Sequence, residues 1–278
     1  MFSTLIDLEI LERNLDRDNW VIVDCRFSLE DTEAGRQAYE KAHIPGAVYG
    51  HLDDDLCGPP LTDLGRHPLP TPEAMTALFS LMGIEAKTQV VVYDDANGAI
   101  SSRLWWMLRY MGYDAAAVLN GGWQVWEEAN HPVHSGVEVN SLAQFNGAPQ
   151  EGWLVTLSDL GNLPLLVDSR APERYRGETE SIDPRAGHIP GAINYFYQLN
   201  WDENDRYLPR HVLRERFEKF LGNATAEETT FHCGSGVTAC ANILALAYAG
   251  LGYGRLYIGS WSEWCRDPSR PAITGDLG

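Results

Sequence analysis

The chain has 278 residues, enough for one large domain or two of ordinary size, and its 44% hydrophobic and 22% charged residues are the balance of a globular protein. Its 21 basic and 39 acidic side chains give a formal net charge of −18, so nucleic acid and anionic membrane surfaces are poor partners and an anionic substrate needs a local positive site. No apolar run approaches the roughly 20 residues of a membrane span, and five cysteines without regular spacing point to a reducing cytoplasm and away from a disulfide framework.

The opening stretch, "MFSTLIDLEILERNLDRDNW", carries acids early and no basic segment before an apolar one. It reads as the first helix of the fold and not as a secretory or transit peptide. Next come "WVIVDCR" (20–26), "AHIPGAV" (42–48) and a helical stretch, "TPEAMTALFSLMG". The short apolar runs "VVVY" (90–93) and "AAVL" (116–119) suit buried parallel strands. The second of these lies inside "RYMGYDAAAVLNGGWQVW" (109–126). Residues 131–152 are polar and Gly-rich without helical period, and are read as a linker.

After the linker the series starts again. "PLLVDSR" (164–170) repeats "WVIVDCR", "GHIPGAI" (187–193) repeats "AHIPGAV", and "AYAGLGYGRLYIGSWSEW" (247–264) repeats the segment at 109–126. Between them lie another helical stretch, "HVLRERFEKFLG", and a further strand signal, "RLYI" (255–258). Two copies in one order mean a duplicated α/β domain, not a solenoid. The expected boundaries are 1–135 for a non-catalytic copy and 153–278 for a catalytic one.

The second copy carries "TTFHCGSGVTACANILALAYAGL": a short strand, a Gly-rich loop, then an apolar helix. Ligands of parallel sheets bind at the carboxyl ends of strands, which is where Cys233 falls. Gly234 and Gly236 allow unusual backbone angles, and the amides of the loop through Val237 and Thr238 can turn inward as an anion nest. The helix that follows adds the positive end of its dipole. Cys233 is then either a small buried thiol under a tight turn or a nucleophile whose persulfide the amides would cradle. Setting "DANGAIS" (95–101) opposite "CGSGVTA" (233–239) places Asp95 across from Cys233. Both copies keep the turn and only one has the thiol, which favours function. A phosphatase would need an arginine in the loop, and a zinc site would need a tighter ligand spacing than Cys233 and Cys240 give.

These residues resemble the two-domain sulfurtransferases of the rhodanese superfamily, over nearly the whole chain. "CGSGVTA" looks like the loop of the mercaptopyruvate branch, and the paired "D-x-R … HIPGA" and "GSWSEW" are similar to the family's recurrent motifs. The resemblance implies two tandem parallel-sheet domains flanked by helices, with the active site in the cleft between them. It implies a Cys233 persulfide, no cofactor and no metal. Sulfur would pass from a small anionic donor to a thiophilic acceptor such as thioredoxin, a small thiol or cyanide. It maps donor binding onto Arg174 and Arg185, and a proton relay onto Ser235 with His67 and Asp53, Asp54 or Asp55 competing for the acid's place. The neutral Gly234–Ser235 pair favours mercaptopyruvate; thiosulfate is the alternative donor, preferred by relatives with a basic "CRKGVT" loop. His43, His188, Asp24 and Asp168 recur in both copies and read as scaffold.

Overall fold

The computed structural model describes residues 1–60 and 64–276. The chain divides into two compact units: Met1–Gly58, Pro70–Gln150 and Glu203–Arg206 form one, and Pro59–Leu69, Glu151–Asp202 and Tyr207–Gly278 form the other.

The first unit contains β1 (Leu5–Ile6), α1 (Leu8–Glu12), β2 (Trp20–Asp24), α2 (Ala34–Lys41), β3 (Val48–Tyr49), α3 (Pro72–Leu81), β4 (Gln89–Tyr93), α4 (Ser101–Tyr110), β5 (Ala116–Leu119) and α5 (Gly122–Glu128). Its five strands run parallel in the order β1-β5-β4-β2-β3. The central strand β4 is buried along its whole length, which is why "QVVVY" is continuously apolar after its first residue. Helix α3 starts where Thr71 accepts a bond from the Ala74 N–H and Pro72 fixes the first turn. The opening stretch differs from expectation. It gives a two-residue strand and a five-residue helix, because Ile6 is buried among the core residues and Leu5–Ile6 pair with Val118–Leu119. The polar segment read as a linker is a strap on this unit: Gly136 N–H donates to the Glu40 carbonyl, Ala143 N–H to the Ser80 carbonyl, and buried Phe145 meets Phe79 edge-on at 4.9 Å.

The second unit contains β6 (Leu154–Val155), β7 (Leu165–Asp168), α6 (Pro172–Tyr175), β8 (Ala192–Asn194), α7 (Arg210–Leu221), β9 (Thr229–His232), α8 (Ala239–Tyr248), β10 (Arg255–Tyr257) and α9 (Ser260–Trp264). Its order, β6-β10-β9-β7-β8, is that of the first sheet strand for strand, and every pairing is parallel. Helix α8 is buried from Ala239 to Leu246, so it is apolar nearly all round. Its one buried amide, Asn242, is fully used: it donates to Ser169 Oγ and the Tyr195 carbonyl, each at 2.9 Å, and accepts from Asn200 at 2.6 Å. Among the described residues no helix is long and apolar enough to cross a membrane.

Both copies share one structural cassette. Asp24 and Asp168 each accept from the backbone N–H and the guanidinium of the arginine two residues on. Those arginines, Arg26 and Arg170, lie over the rings of Trp123 and Trp261 at 4.4 and 4.9 Å. His43 and His188 stack on Tyr39 and Tyr175 and bond their carbonyls through Nδ1. The repeated residues hold the fold together.

Candidate active site

Cys233 follows β9 directly and is 2% exposed. Three contacts from α9 fix the backbone there. Ser260 Oγ accepts the Cys233 N–H at 3.1 Å, Trp261 N–H donates to the Cys233 carbonyl at 3.0 Å, and Ser262 N–H donates to the Gly234 carbonyl at 2.9 Å. Ser260 sits at φ +56°, in the left-handed region, where the first unit has Gly122 at φ +57°. A serine tolerates that angle here because its hydroxyl also donates to the Tyr257 carbonyl.

The two loop glycines do different jobs. Gly236 has φ +76°, and a Cβ there would lie 2.5 Å from the Ile258 carbonyl oxygen, so only glycine fits. Gly234 is under no such constraint. A Cβ on it would lie 3.4 Å from Arg66 Nη2 and 3.7 Å from Arg174 Nη1, so its bareness leaves room beneath two guanidiniums.

The sheets correct the alignment of the two copies. Asp24 pairs with Tyr93 and Asp168 with His232, so the residue after each strand end is Asp94 in one unit and Cys233 in the other. Trp123 N–H donates to the Asp94 carbonyl as Trp261 N–H does to that of Cys233. The counterpart of the cysteine is therefore Asp94 and not Asp95. The Asp94 carboxylate accepts four backbone N–H bonds, from Ala96, Gly98, Ile100 and Ser101, at 2.7 to 2.9 Å. In the second unit Ser235 and Val237 stand where Ala96 and Gly98 stand in the first, and their N–H groups meet no acceptor among the described residues. The nest is complete around the Asp94 carboxylate; in the second unit the counterpart of Ser101, Cys240, donates its N–H to the Val237 carbonyl at 3.0 Å, and the amides of Ser235 and Val237 stand beside the thiol. Thr238 caps α8 through its backbone, without a side-chain bond.

His67 Nδ1 and Ser235 Oγ are 2.7 Å apart, with His67 4% and Ser235 6% exposed. The sequence reading counts His67 with the first domain, but Pro59–Leu69 groups with the second unit. The packing is close: a Cβ on Gly65 would lie 2.4 Å from the Gly259 carbonyl oxygen, and Arg66 N–H donates to Ser262 Oγ at 3.0 Å. Asp53 is half-buried in the first unit. Of its neighbours, Asp54 pairs with Arg36 at 2.7 Å and Asp55 accepts the His51 N–H at 2.8 Å.

Arg174 donates through Nε and Nη2 to Glu180, and through Nη2 to Asp183 at 3.1 Å. Burial works against the charge on Glu180, but these bonds and two backbone N–H groups hold its carboxyl below the usual value. Arg185 is occupied elsewhere, its Nη1 and Nη2 donating to the carbonyls of Asp267 and Arg270 at 3.0 Å each. The guanidinium that joins Arg174 over Gly234 is that of Arg66, whose Nη1 bonds Asp183 Oδ1 at 2.6 Å. Sequence reading missed it. Its neighbour in the motif, His67, was the available signal.

His232 is fully buried with Nε2 at 3.8 Å from Asp168 Oδ2. Burial pushes its imidazole below the ordinary value, outweighing the nearby carboxylate, so it is neutral scaffold. Among the described residues, no group of three or more His, Cys, Asp or Glu side chains is placed to hold a metal ion.

Comparison with known proteins identifies the family. A rhodanese-like domain model matches residues 7–129 and again 151–267. A probable 3-mercaptopyruvate sulfurtransferase of Pseudomonas aeruginosa is 40% identical over 99% of both chains. A Mycobacterium tuberculosis protein whose assigned name, thiosulfate sulfurtransferase, is provisional is 36% identical over 91% of this chain and 90% of its own. Among solved structures, the 3-mercaptopyruvate sulfurtransferase of Leishmania major superposes with a TM-score of 0.85 at 30% identity, covering 96% of this chain and 76% of that one. Two matched domains, a shared topology and full-length relatives place this chain in the rhodanese-like family of two-domain sulfurtransferases.

Proposed function

We propose that the chain moves a sulfane sulfur from 3-mercaptopyruvate to a thiol acceptor through a persulfide on Cys233. The Cys233 thiolate attacks the donor sulfur, the carbon–sulfur bond breaks, and its electron pair leaves on carbon as pyruvate enolate. The enolate takes a proton and departs as pyruvate. The outer sulfur stays on Cys233 until an acceptor thiolate attacks it, forming the acceptor's persulfide and returning the Cys233 thiolate.

The observation that carries the donor choice is the 2.7 Å contact of His67 with Ser235, two residues from the nucleophile. An enolate needs a proton, and a hydroxyl–imidazole pair is a means of delivering one. Sulfite leaving from thiosulfate has no such need. The neighbouring charges lean the same way. Arg66, Arg170 and Arg174 are matched by Asp168, Asp183 and Glu180, leaving no net positive charge for a dianion. A thiol acceptor and a reducing cytoplasm fit an enzyme that works through a free cysteine.

The test is a comparison of pyruvate release from 3-mercaptopyruvate with sulfite release from thiosulfate, using one small thiol as acceptor. The expected kcat/KM favours mercaptopyruvate by at least about tenfold. Equal or better use of thiosulfate contradicts the assignment.

A further inference from the structure

Glu263, the acid of "GSWSEW", is only 8% exposed. Its backbone N–H donates to the Gly259 carbonyl, and its side chain folds back over Gly259, leaving no room for a Cβ there. Oε2 accepts the Tyr257 hydroxyl at 2.6 Å. Oε1 is different. No donor among the described residues reaches it, yet it is not among the unpartnered polar atoms that are sealed from solvent. No arginine, lysine or histidine among the described residues pairs with the carboxylate. The cation next to it in the fold, Arg270, spends Nη1 on the backbone carbonyls of Glu263 and Trp264, and its Nε lies 3.6 Å from Asp267.

The carboxylate lines a cavity of about 220 Å3 inside the second unit, where Leu64, Leu69, Val155, Leu157 and Ile258 form apolar walls. That is below the size of pockets that hold drug-sized ligands, and Glu263 is the one charged side chain in the lining. The cavity adjoins the cysteine loop through two of its walls. Leu69 lies two residues after His67, and Ile258 packs on Gly236, where a Cβ would come 2.8 Å from Ile258 Cδ1.

We propose that this cavity is a binding site for a small organic cation, an ammonium group on an apolar body, with Glu263 as the counter-ion. A charged N–H donating to a carboxylate is a strong hydrogen bond, and it gains where little water competes. The apolar walls take up the body of the ligand. An anion would meet the charge of Glu263. A bare metal ion would find one carboxylate without the further ligands it needs.

The probe is benzylamine, with benzyl alcohol as its neutral counterpart and benzoate as its anionic one. Amide NMR titrations of the whole protein at about 0.15 M salt limit loose attraction to the acidic surface. Benzylamine should give saturable shifts at Gly65, Leu69, Val155 and Gly259, with a Kd below about 1 mM. Benzyl alcohol should bind at least about tenfold more weakly, and benzoate not at all. Glu263→Gln keeps an oxygen for the Tyr257 hydroxyl; it should weaken benzylamine at least about tenfold and benzyl alcohol less than about threefold. Leu157→Trp fills the cavity from a partly buried wall and leaves Glu263 in place, and it should abolish binding of both. Equal affinity for amine and alcohol, shifts that spread over the acidic surface without saturating, or wild-type benzylamine binding by either variant overturns the proposal.

Discussion

Asp94 and Cys233 hold the same place in two copies of one sheet, each directly after the central strand and each with a tryptophan N–H on its carbonyl. The aspartate neutralises its own nest with a carboxylate on four amides. Asp94→Ala therefore leaves those N–H groups without their acceptor, and it should destabilise the first unit by about 3 kcal/mol in a denaturant titration. A change under about 0.5 kcal/mol would show that the amides do not depend on an anion.

Cys233 should be the one thiol that turnover needs. Burial raises the thiols of Cys25, Cys57 and Cys265, the latter two to about 11, so they stay protonated at neutral pH. Cys240 is buried with its thiol directed at the Gly236 carbonyl. Cys233→Ser should abolish sulfur transfer with the thermal midpoint unchanged within a few degrees. Alanine at each of the other four should leave kcat within about threefold, and a large loss at any of them contradicts the reading.

The Ser235–His67 contact makes a kinetic prediction. Ser235→Ala and His67→Gln should each lower kcat for mercaptopyruvate by about 10²-fold, and the double variant should fall little further, because both serve one proton path. Losses that multiply would mean independent roles. A rate loss equal in size for thiosulfate would mean that the pair only shapes the loop.

Acid should destabilise the second unit through Asp168 and His232. Burial and the charge of Arg170 depress His232, so below about pH 6.5 the unfolded chain takes a proton that the folded one refuses, and stability falls as pH falls. Burial opposes the charge on Asp168, but Arg170 and His232 more than offset it; its contribution is whole above about pH 4 and disappears as pH drops through the lowered value. The thermal midpoint should be flat between about pH 7 and 8 and decline from about pH 6.5 downward. His232→Gln should remove the decline between about pH 6.5 and 5, and an undiminished slope in that variant contradicts the assignment.

The duplicated α/β fold was legible in the sequence because its strands are short apolar runs and the scaffold residues around them repeat in order. The cysteine proposed as nucleophile stands out by contrast, since the two copies share a turn and differ at its first residue. The register of that contrast was not: matching Gly98 to Gly236 puts Asp95 opposite Cys233, and only the strand pairing fixes Asp94. Gly236 and Gly234 look alike in sequence, yet one is set by a left-handed angle and the other by the space its missing side chain leaves. Arg66 is harder to read, its one local signal being the adjacent His67. Its position depends on Asp183, 117 residues later, and no local pattern encodes a partner at that distance. The opening stretch reads as a helix because Leu5 and Ile6 carry an apolar signal that a strand at the sheet edge shares with a helix.

The central claim is that Cys233 carries the sulfur, and intact-protein mass spectrometry tests it most directly. Incubated with 3-mercaptopyruvate and no acceptor, the protein should gain one sulfur atom, mapped by peptide digestion to Cys233, with one pyruvate released per chain. A small thiol added afterwards should remove that sulfur and restore the starting mass. An unmodified Cys233 alongside released pyruvate, or a sulfur found only on another cysteine, would contradict the account.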